Sequence, residues 1–560
     1  MSGGDIVQGV RRFQVVVDDL RLGEKTARFQ VTVSGVDRRA HDVRIVVASR
    51  ESAARHRFAC LVEDDAQGSR RDPAVAVQRA TAVVDLQDLA ERLDEDDETL
   101  DLFVEVEDAD GLVQSKRVST KGRVSVLRPG RASLGGDVVQ FLPYATFRAA
   151  NVSVRVERMS EDSFAYLRRW TRLAWLLPLV RPFLGVWLVG ELPYKAQDNG
   201  YHLFRWVREH FPRRAVYYVI EESSPDLPRL DGLGNVVLRG SREHIRAAFL
   251  ASRIVGTHHA EYLLPSRHPR VVAGIRGVRV FIRHGISGTK NMTANYGRRA
   301  PGFFTDRFHV SSDRERDVAL EAFGYRPGQV RVTGLPRFDS LLAPIEREPE
   351  GLLVIPTWRE WLGQHDAFSS SEYRDRWESF LTHPVLAAQM RDGLQVTFIL
   401  HPNMRHYADL FDAPGVQVLR QGEVDVQTLM REHACLVTDY SSVAFDFALL
   451  RRPVLYYQFD QERFFGPHGS FLDVERDLPG TIVTEVDRLA DEVARAATSG
   501  FTMSPDHWER AQRMVRYHDR RNCERVADSV RHAGGPAVHW WRLVDRLAEA
   551  LRGLRRRVSS

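Results

Sequence analysis

Cysteine is almost absent from this chain: Cys60, Cys435 and Cys523 are three residues in 560. They are odd in number and widely spaced, so they form neither a disulfide framework nor a zinc spacing, and they suit a reducing compartment. Lysine is scarce as well, and arginine carries almost all of the positive charge. The formal net charge is only +4, which gives no ground for a nucleic-acid partner; any basic patch has to be local. There is no HExxH, no CxxC and no carboxylate cluster at two-metal spacing, so no metal site is legible. The opening MSGGDIVQGVRRF has no apolar core of the kind a secretory signal needs. Long hydrophobic runs are missing too. The most apolar stretch, Tyr166 to Leu184, has eight residues between Arg172 and Arg181 and is broken by Pro178 and Pro182, too short to span a bilayer.

What is present is an ordinary globular balance, 43% hydrophobic and 28% charged, in a chain long enough for two or three domains. Residues 1–158 carry short alternating segments: Phe13/Val15/Val17, Phe29/Val31/Val33, Val43/Ile45/Val47, Leu102/Val104/Val106 and Val152/Val154/Val156. Period-two patterning at this spacing predicts an all-β accessory domain, a sandwich or barrel. The acidic run Asp94 to Glu98 lacks the glycine and ligand spacing of a calcium loop and reads as a solvated turn. Residues 159–185 read as an amphipathic linker helix. Trp170, Trp175 and the flanking arginines suit a membrane interface, and burial between domains is the competing reading.

From Val186 onward, apolar strands alternate with helical segments, the pattern of a parallel doubly wound sheet. One series runs over 186–345 and a second over 346–535, each a Rossmann-like lobe. Residues 505 to 530 read as one closing helix. A basic amphipathic tail covers 536–560, with Trp540, Leu543, Leu547 and Leu551 on one helical face and Arg542, Arg546 and Arg552 around them. That face suits anionic headgroups, or else the protein's own lobes.

The stretch Leu436 to Asp460, LVTDYSSVAFDFALLRRPVLYYQFD, reads as a βαβ unit with a helix of about ten residues from Val443. Ser441 and Ser442 stand at its start. They either hold an anion on the helix end or only cap it. His284-Gly285 follows the strand Val278 to Ile282, and His401-Pro402 follows Val396 to Leu400, both where an α/β sheet opens its ligand crevice. A histidine there can take a proton from an attacking hydroxyl, or be a structural loop residue. Gly288-Thr289-Lys290 lacks the spacing of a Walker A loop. Arg359 after the strand Leu353 to Ile355 offers a bidentate fork for phosphate, or is a surface arginine.

The TDYSSVAFDFALLRRPVLYY segment resembles the signature of the CDP-glycerol glycerophosphotransferases, the teichoic-acid polymerases and primases. Arg283-His284-Gly285, Gly334-Leu335-Pro336-Arg337-Phe338-Asp339, Pro356-Thr357-Trp358-Arg359 and Leu400-His401-Pro402 resemble the same family in the same order, across roughly residues 186 to 530. The resemblance implies a GT-B-like α/β pair of lobes and transfer of a polyol phosphate, above all glycerol phosphate, from a CDP-activated donor. The acceptor would be a hydroxyl of a lipid-linked or polymeric cell-wall or capsule chain, and CMP would leave. It implies His284 as base and His401 on the leaving group, with Gly285, Arg359, Asp439, Ser441, Ser442 and Asp446 around the substrate. Asp439 would orient the donor and Asp446 would touch its polyol or solvent. Arg337 and Asp339 would form a structural turn and pair across the cleft. No cofactor and no metal are implied. The partners would be the CDP-polyol, the acceptor and the cytoplasmic face of the membrane, met peripherally, with a homo-oligomer allowed. The family's loop carries a proline and then a lysine after HG; here the proline is missing and Lys290 comes one place late. A capsule glycosyltransferase or sugar-phosphate transferase of the same fold, and a non-catalytic membrane-associated scaffold, are the rival readings.

Overall fold

Along Thr26–Val36 the buried side chains are every second one, from Ala27 through Phe29, Val31 and Val33, as a strand with one face on a core requires. The computed structural model describes residues 13–534 except 37–38, 51, 53, 66–74, 94–96, 120–125, 147–150, 288–289, 301, 360, 363–367, 412, 421–423 and 467–468, together with Arg542. The chain divides into two compact units, one of 1–176, 240–246 and 265–275, the other of the remaining residues.

The first unit holds a five-stranded sheet centred on Thr26–Val36 and a seven-stranded sheet in which Asp97–Glu107 pairs with both Asp42–Ser49 and Val152–Ser160. Phe29, Val31 and Val33 of one sheet share a single core with Ile45, Val104, Phe141 and Val154 of the other. This is a β-sandwich. Glu98 is buried in a strand where a solvated turn is expected, because the strand begins at Asp97; the rest of that acidic run, 94–96, lies outside the described residues. The stretch after the sandwich forms a helix at Glu161–Leu173, opened by the Ser160 hydroxyl accepting from the Ser163 amide. Pro178 and Pro182 then divide it into short turns.

The second unit contains two parallel sheets. The first is built from β1 (Trp187–Gly190), β2 (Val216–Ile220), β3 (Val236–Leu238), β4 (Arg253–Gly256), β5 (Val278–Phe281), β6 (Arg307–Val310) and β7 (Val330–Val332), in the order 3-2-1-4-5-6-7. The second comprises β8 (Leu352–Ile355), β9 (Val396–Leu400), β10 (Val416–Arg420), β11 (Cys435–Thr438), β12 (Val454–Tyr457) and β13 (Thr481–Val483), in the order 10-9-8-11-12-13. Strands β1, β5, β8, β9, β11 and β12 are buried along their whole length. Cover on both faces of the sheets accounts for burial along the whole of each strand. In each sheet the order reverses beside the first strand, and the crevice opens at the carboxyl ends there.

Three helices matter below: α1 (Asn199–His210), α2 (Val443–Ala448) and α3 (Asn522–Arg531). Helix α2 has six residues, not about ten. The Leu450 and Arg451 amides close tight turns on Phe447 and Ala448, and Arg451 turns left-handed at φ 59°. The expected closing helix is two helices, Pro505–Met514 and α3. Between them Val515 is extended and the Arg516 amide bonds the Ser311 carbonyl, which carries the chain back to the first lobe. There Val526, Ala527 and Val530 join the core of Trp187, Phe204 and Val255. Asp339 receives the start of α3, accepting from the Asn522 and Cys523 amides at 2.8 and 2.7 Å.

Candidate active site

His284 is delivered by a bend at the end of β5. Arg283 has φ 59°, a left-handed conformation that costs a side-chain-bearing residue about 1–2 kcal/mol. Three contacts hold it: its Nε donates to the Gly285 carbonyl at 3.1 Å, its carbonyl accepts from Asn199 Nδ2 at 2.9 Å, and its guanidinium lies 3.6 Å from Glu315. The next residue, His284, keeps solvent access although protein crowds around it. Its ring stacks on His258 with centroids 4.6 Å apart and planes 10° from parallel. Desolvation lowers the His284 pKa, with the Arg283 and Arg337 charges adding to it and Asp198 and the Thr257 backbone opposing it. A ring shifted in this direction is neutral at neutral pH.

Gly285 brings the two lobes together. A Cβ at this position would stand 2.9 Å from Ser442 Oγ, so the histidine loop lies directly on the serine turn that opens α2. Ser442 makes no capping bond, while Ser441 Oγ accepts from the Val443 amide at 3.3 Å. Both serines are half-buried.

Arg337 ties the arrangement. Its Nε and Nη2 meet the Asp446 carboxylate at 2.6 and 3.0 Å, and its Nη1 meets Asp198 at 2.7 Å and the His284 carbonyl at 2.8 Å. Burial works against this guanidinium, but Asp446 and Asp198 outweigh it and keep the charge on. Asp446 is 2% exposed. The sequence expectation that it touches the donor's polyol or solvent therefore gives way to a buried ion pair, because its place on α2 faces Arg337.

Arg359 is corrected in the same way. It is 1% exposed, with Asp460 on Nε and Nη2 at 2.8 and 3.0 Å, Asp439 2.9 Å away, and the Thr357 carbonyl on Nη1 at 2.6 Å. Tyr373, Tyr440 and Phe464 surround it within 5.0 to 5.1 Å. A guanidinium so engaged presents no fork to a phosphate. Asp439 accepts from the Thr357 and Tyr440 amides at 2.8 and 2.6 Å. The pair locks together the loops after β8 and β11.

His401 follows β9 and stacks beside Trp358, centroids 6.0 Å apart. Burial first, and the Lys195 charge second, push its pKa down to about 4, so it is a neutral donor or acceptor at neutral pH. Lys195 also depresses His258; one ammonium thus stands close to histidines from both lobes. Its loop is held by Glu191, which accepts from the Gln197, Asp198 and Tyr201 amides at 2.8 to 3.1 Å. Gly200 lets that carboxylate in, since a Cβ there would be 2.8 Å from Glu191 Cγ. Among the described residues no three His, Cys, Asp or Glu side chains gather as a metal set.

Residues 185–532, more than half of the chain, match the family described as CDP-glycerol:poly(glycerophosphate) glycerophosphotransferase. The chain belongs to this family. The glycerophosphotransferase match takes in both parallel sheets and α3, and residues 11–156 match the TarS β-glycosyltransferase C-terminal domain 1. Minor teichoic acid biosynthesis protein GgaB of Bacillus subtilis (strain 168) is 23% identical over 366 residues, 62% of this chain and 39% of that protein. A teichoic acid glycerol-phosphate transferase of Staphylococcus aureus (strain NCTC 8325) is 40% identical over 204 residues, 34% of this chain and 46% of that protein. The alignments span less than half of either relative. A variant of the wall teichoic acid polymerase TagF soaked with CDPG has a similar fold, with a TM-score of 0.50 at 18% identity over 66% of this chain and 97% of that one. The lobes are those of a GT-B-like fold.

Within this glycerophosphotransferase fold, sequence reasoning missed Lys195 and His258. Each follows a strand of the first sheet, β1 and β4, at the same carboxyl edge that singled out His284. That edge was the available signal.

Proposed function

We propose that the chain moves a polyol phosphate, glycerol phosphate first among them, from a CDP-polyol to a hydroxyl of a polymeric or lipid-linked acceptor and releases CMP. The observation that carries this reading is the contact of Gly285 with Ser442, which sets a neutral histidine from one lobe against a hydroxyl turn of the other. A ring nitrogen of His284 takes the proton of the acceptor hydroxyl while the hydroxyl oxygen bonds to the β-phosphorus. The bond from that phosphorus to the bridging oxygen breaks, and the electron pair leaves on CMP. Ser441 and Ser442 hydrogen-bond the diphosphate, Lys195 supplies positive charge, and His401 donates a neutral N–H to the leaving group. Arg337, Asp446, Arg359 and Asp439 position these groups. Incubation with a panel of CDP-polyols and UDP-sugars, reading released CMP or UDP, tests the proposal. CMP from a CDP-polyol is expected; UDP release without CMP replaces it with the glycosyltransferase reading.

The same reading puts the enzyme at the cytoplasmic membrane surface. No helix among the described residues is long and apolar enough to cross a membrane. Leu179 and Phe183 are 72% and 88% exposed in the interrupted apolar stretch, which supports interfacial attachment. The tail over 536–560 lies outside the described residues apart from Arg542. That arginine bonds Asp306 and the Arg276 and Gly277 carbonyls, so it is docked on the protein rather than offered to headgroups.

A further inference from the structure

The outer edge of the first sheet carries polar residues where a covered sheet face is ordinarily apolar. Strands β6 and β7 pair His309 with Arg331 and Val310 with Val332. Side chains alternate along each strand, so Arg307, His309, Arg331 and Thr333 share one face. Helix α3 lies over that face and turns Arg525, Ser529 and His532 toward it, residues at a helical spacing of four and three. His309 fixes the assembly, its two ring nitrogens meeting Ser529 Oγ at 3.1 Å and Thr333 Oγ1 at 3.3 Å.

Strand face and helix flank an open cleft of about 420 Å³ lined by Arg307, Arg331, Thr333, Arg525, Ser529 and His532, with Asp528 as the carboxylate of the lining. That volume falls within the roughly 300–1,000 Å³ of small-molecule sites. Asp528 lies 3.2 Å from His532, and Asp306, beside Arg307, is engaged by Arg542 and the Arg279 amide. Arg307 is buried and donates to the Gly328 carbonyl, Arg331 donates to the Val330 carbonyl, and Arg525 is held by Asp519 and Asn522. Positive charge exceeds negative in the lining. Burial and the neighbouring Arg331 both lower the Arg307 pKa, and Arg253 at the start of β4 is lowered by burial, Arg214 and Arg307. The arginines thus repel one another along the amino-terminal edge of the sheet.

We propose that this cleft is an anion site separate from the catalytic crevice, and that it takes a phosphate group of a phosphodiester chain. Three guanidinium groups against one carboxylate match the charge of such a group, and the exposed Arg331, bonded through Nη1 to the Pro327 and Val330 carbonyls, offers its other N–H groups to the acceptor oxygens. The polymer as source rests on the proposed function; the same chemistry would hold free phosphate, and the test separates the two.

The full chain and its Arg331→Gln and His532→Gln variants, both at exposed positions, are titrated calorimetrically with inorganic phosphate and with a synthetic glycerol phosphate oligomer. Oligomer binding is expected to weaken about tenfold in Arg331→Gln and less in His532→Gln, and to weaken in wild type as salt is raised. If only inorganic phosphate responds to the substitutions, the site belongs to the free anion. If wild type binds neither ligand, or binding is the same in folded variants, the proposal is overturned. CMP release is read separately on wild type. Its absence with every CDP-polyol, alongside substitution-sensitive binding, removes the proposed function and leaves the site; its presence with insensitive binding does the reverse.

Discussion

Replacing Gly285 by alanine tests the junction of the lobes with one methyl group. Gly285 is not in the left-handed region, so alanine meets no backbone strain and the added Cβ is the whole perturbation. At 2.9 Å from Ser442 Oγ and 3.6 Å from Ser442 Cβ, it clashes with the hydroxyl and not with the carbon. The least costly relief is rotation of that hydroxyl, which takes it off the diphosphate. A hydrogen bond to a charged group contributes about 1.5–3 kcal/mol, so kcat/KM for the CDP-polyol should fall roughly ten- to hundredfold. Ser442→Ala should lose a similar amount, and the double variant no more than either single one. Four steady-state measurements on CMP release give the cycle. Costs that multiply in the double variant would show that the two residues act independently, and full activity in Gly285→Ala would refute the contact argument outright.

His284→Ala should lower turnover about a hundredfold or more while the fold survives. Because burial lowers the His284 pKa from 6.5, wild-type kcat/KM should fall with acid through a midpoint below 6.5; a midpoint above it would exclude this base. Arg359→Met should act on stability, since it leaves Asp439 and Asp460 buried without their cation; a loss of about 3–5 kcal/mol in denaturant melts is expected, and a normal melt with weakened donor binding would restore the phosphate-fork role. Activity should persist in excess chelator, and loss in EDTA restored by magnesium would show that a metal takes part. Leu179→Ser combined with Phe183→Ser should reduce sedimentation with anionic vesicles, and unchanged sedimentation would place the attachment elsewhere.

The fold was legible where burial imposes a period. Phe29, Val31 and Val33 announce a strand with one covered face, and the unbroken run at Val396 to Leu400 announces one covered on both. The positions of His284 and His401 beside the crevice were legible because strand ends in a doubly wound sheet define it. The partners of Arg359 were not. Asp460 lies 101 residues away, and an ion pair between loops leaves no period in the chain, so a buried anchor reads as a ligand for phosphate. Asp446 failed for the same reason. In β6 the alternation itself, Arg307 then His309, went unread because inward-facing polar residues imitate an exposed face.

Helix α3 has a consequence for synthesis of the chain. The first sheet is complete at Val332, yet part of its core is supplied by Val526, Ala527 and Val530, some 190 residues later. At about 5–20 residues per second on the ribosome, that apolar face waits roughly 10 to 40 s for its cover, while the second lobe is still being made. The first lobe is therefore expected to recruit chaperones during that interval, and a nascent chain stalled within the second lobe should expose a sticky, protease-sensitive first one.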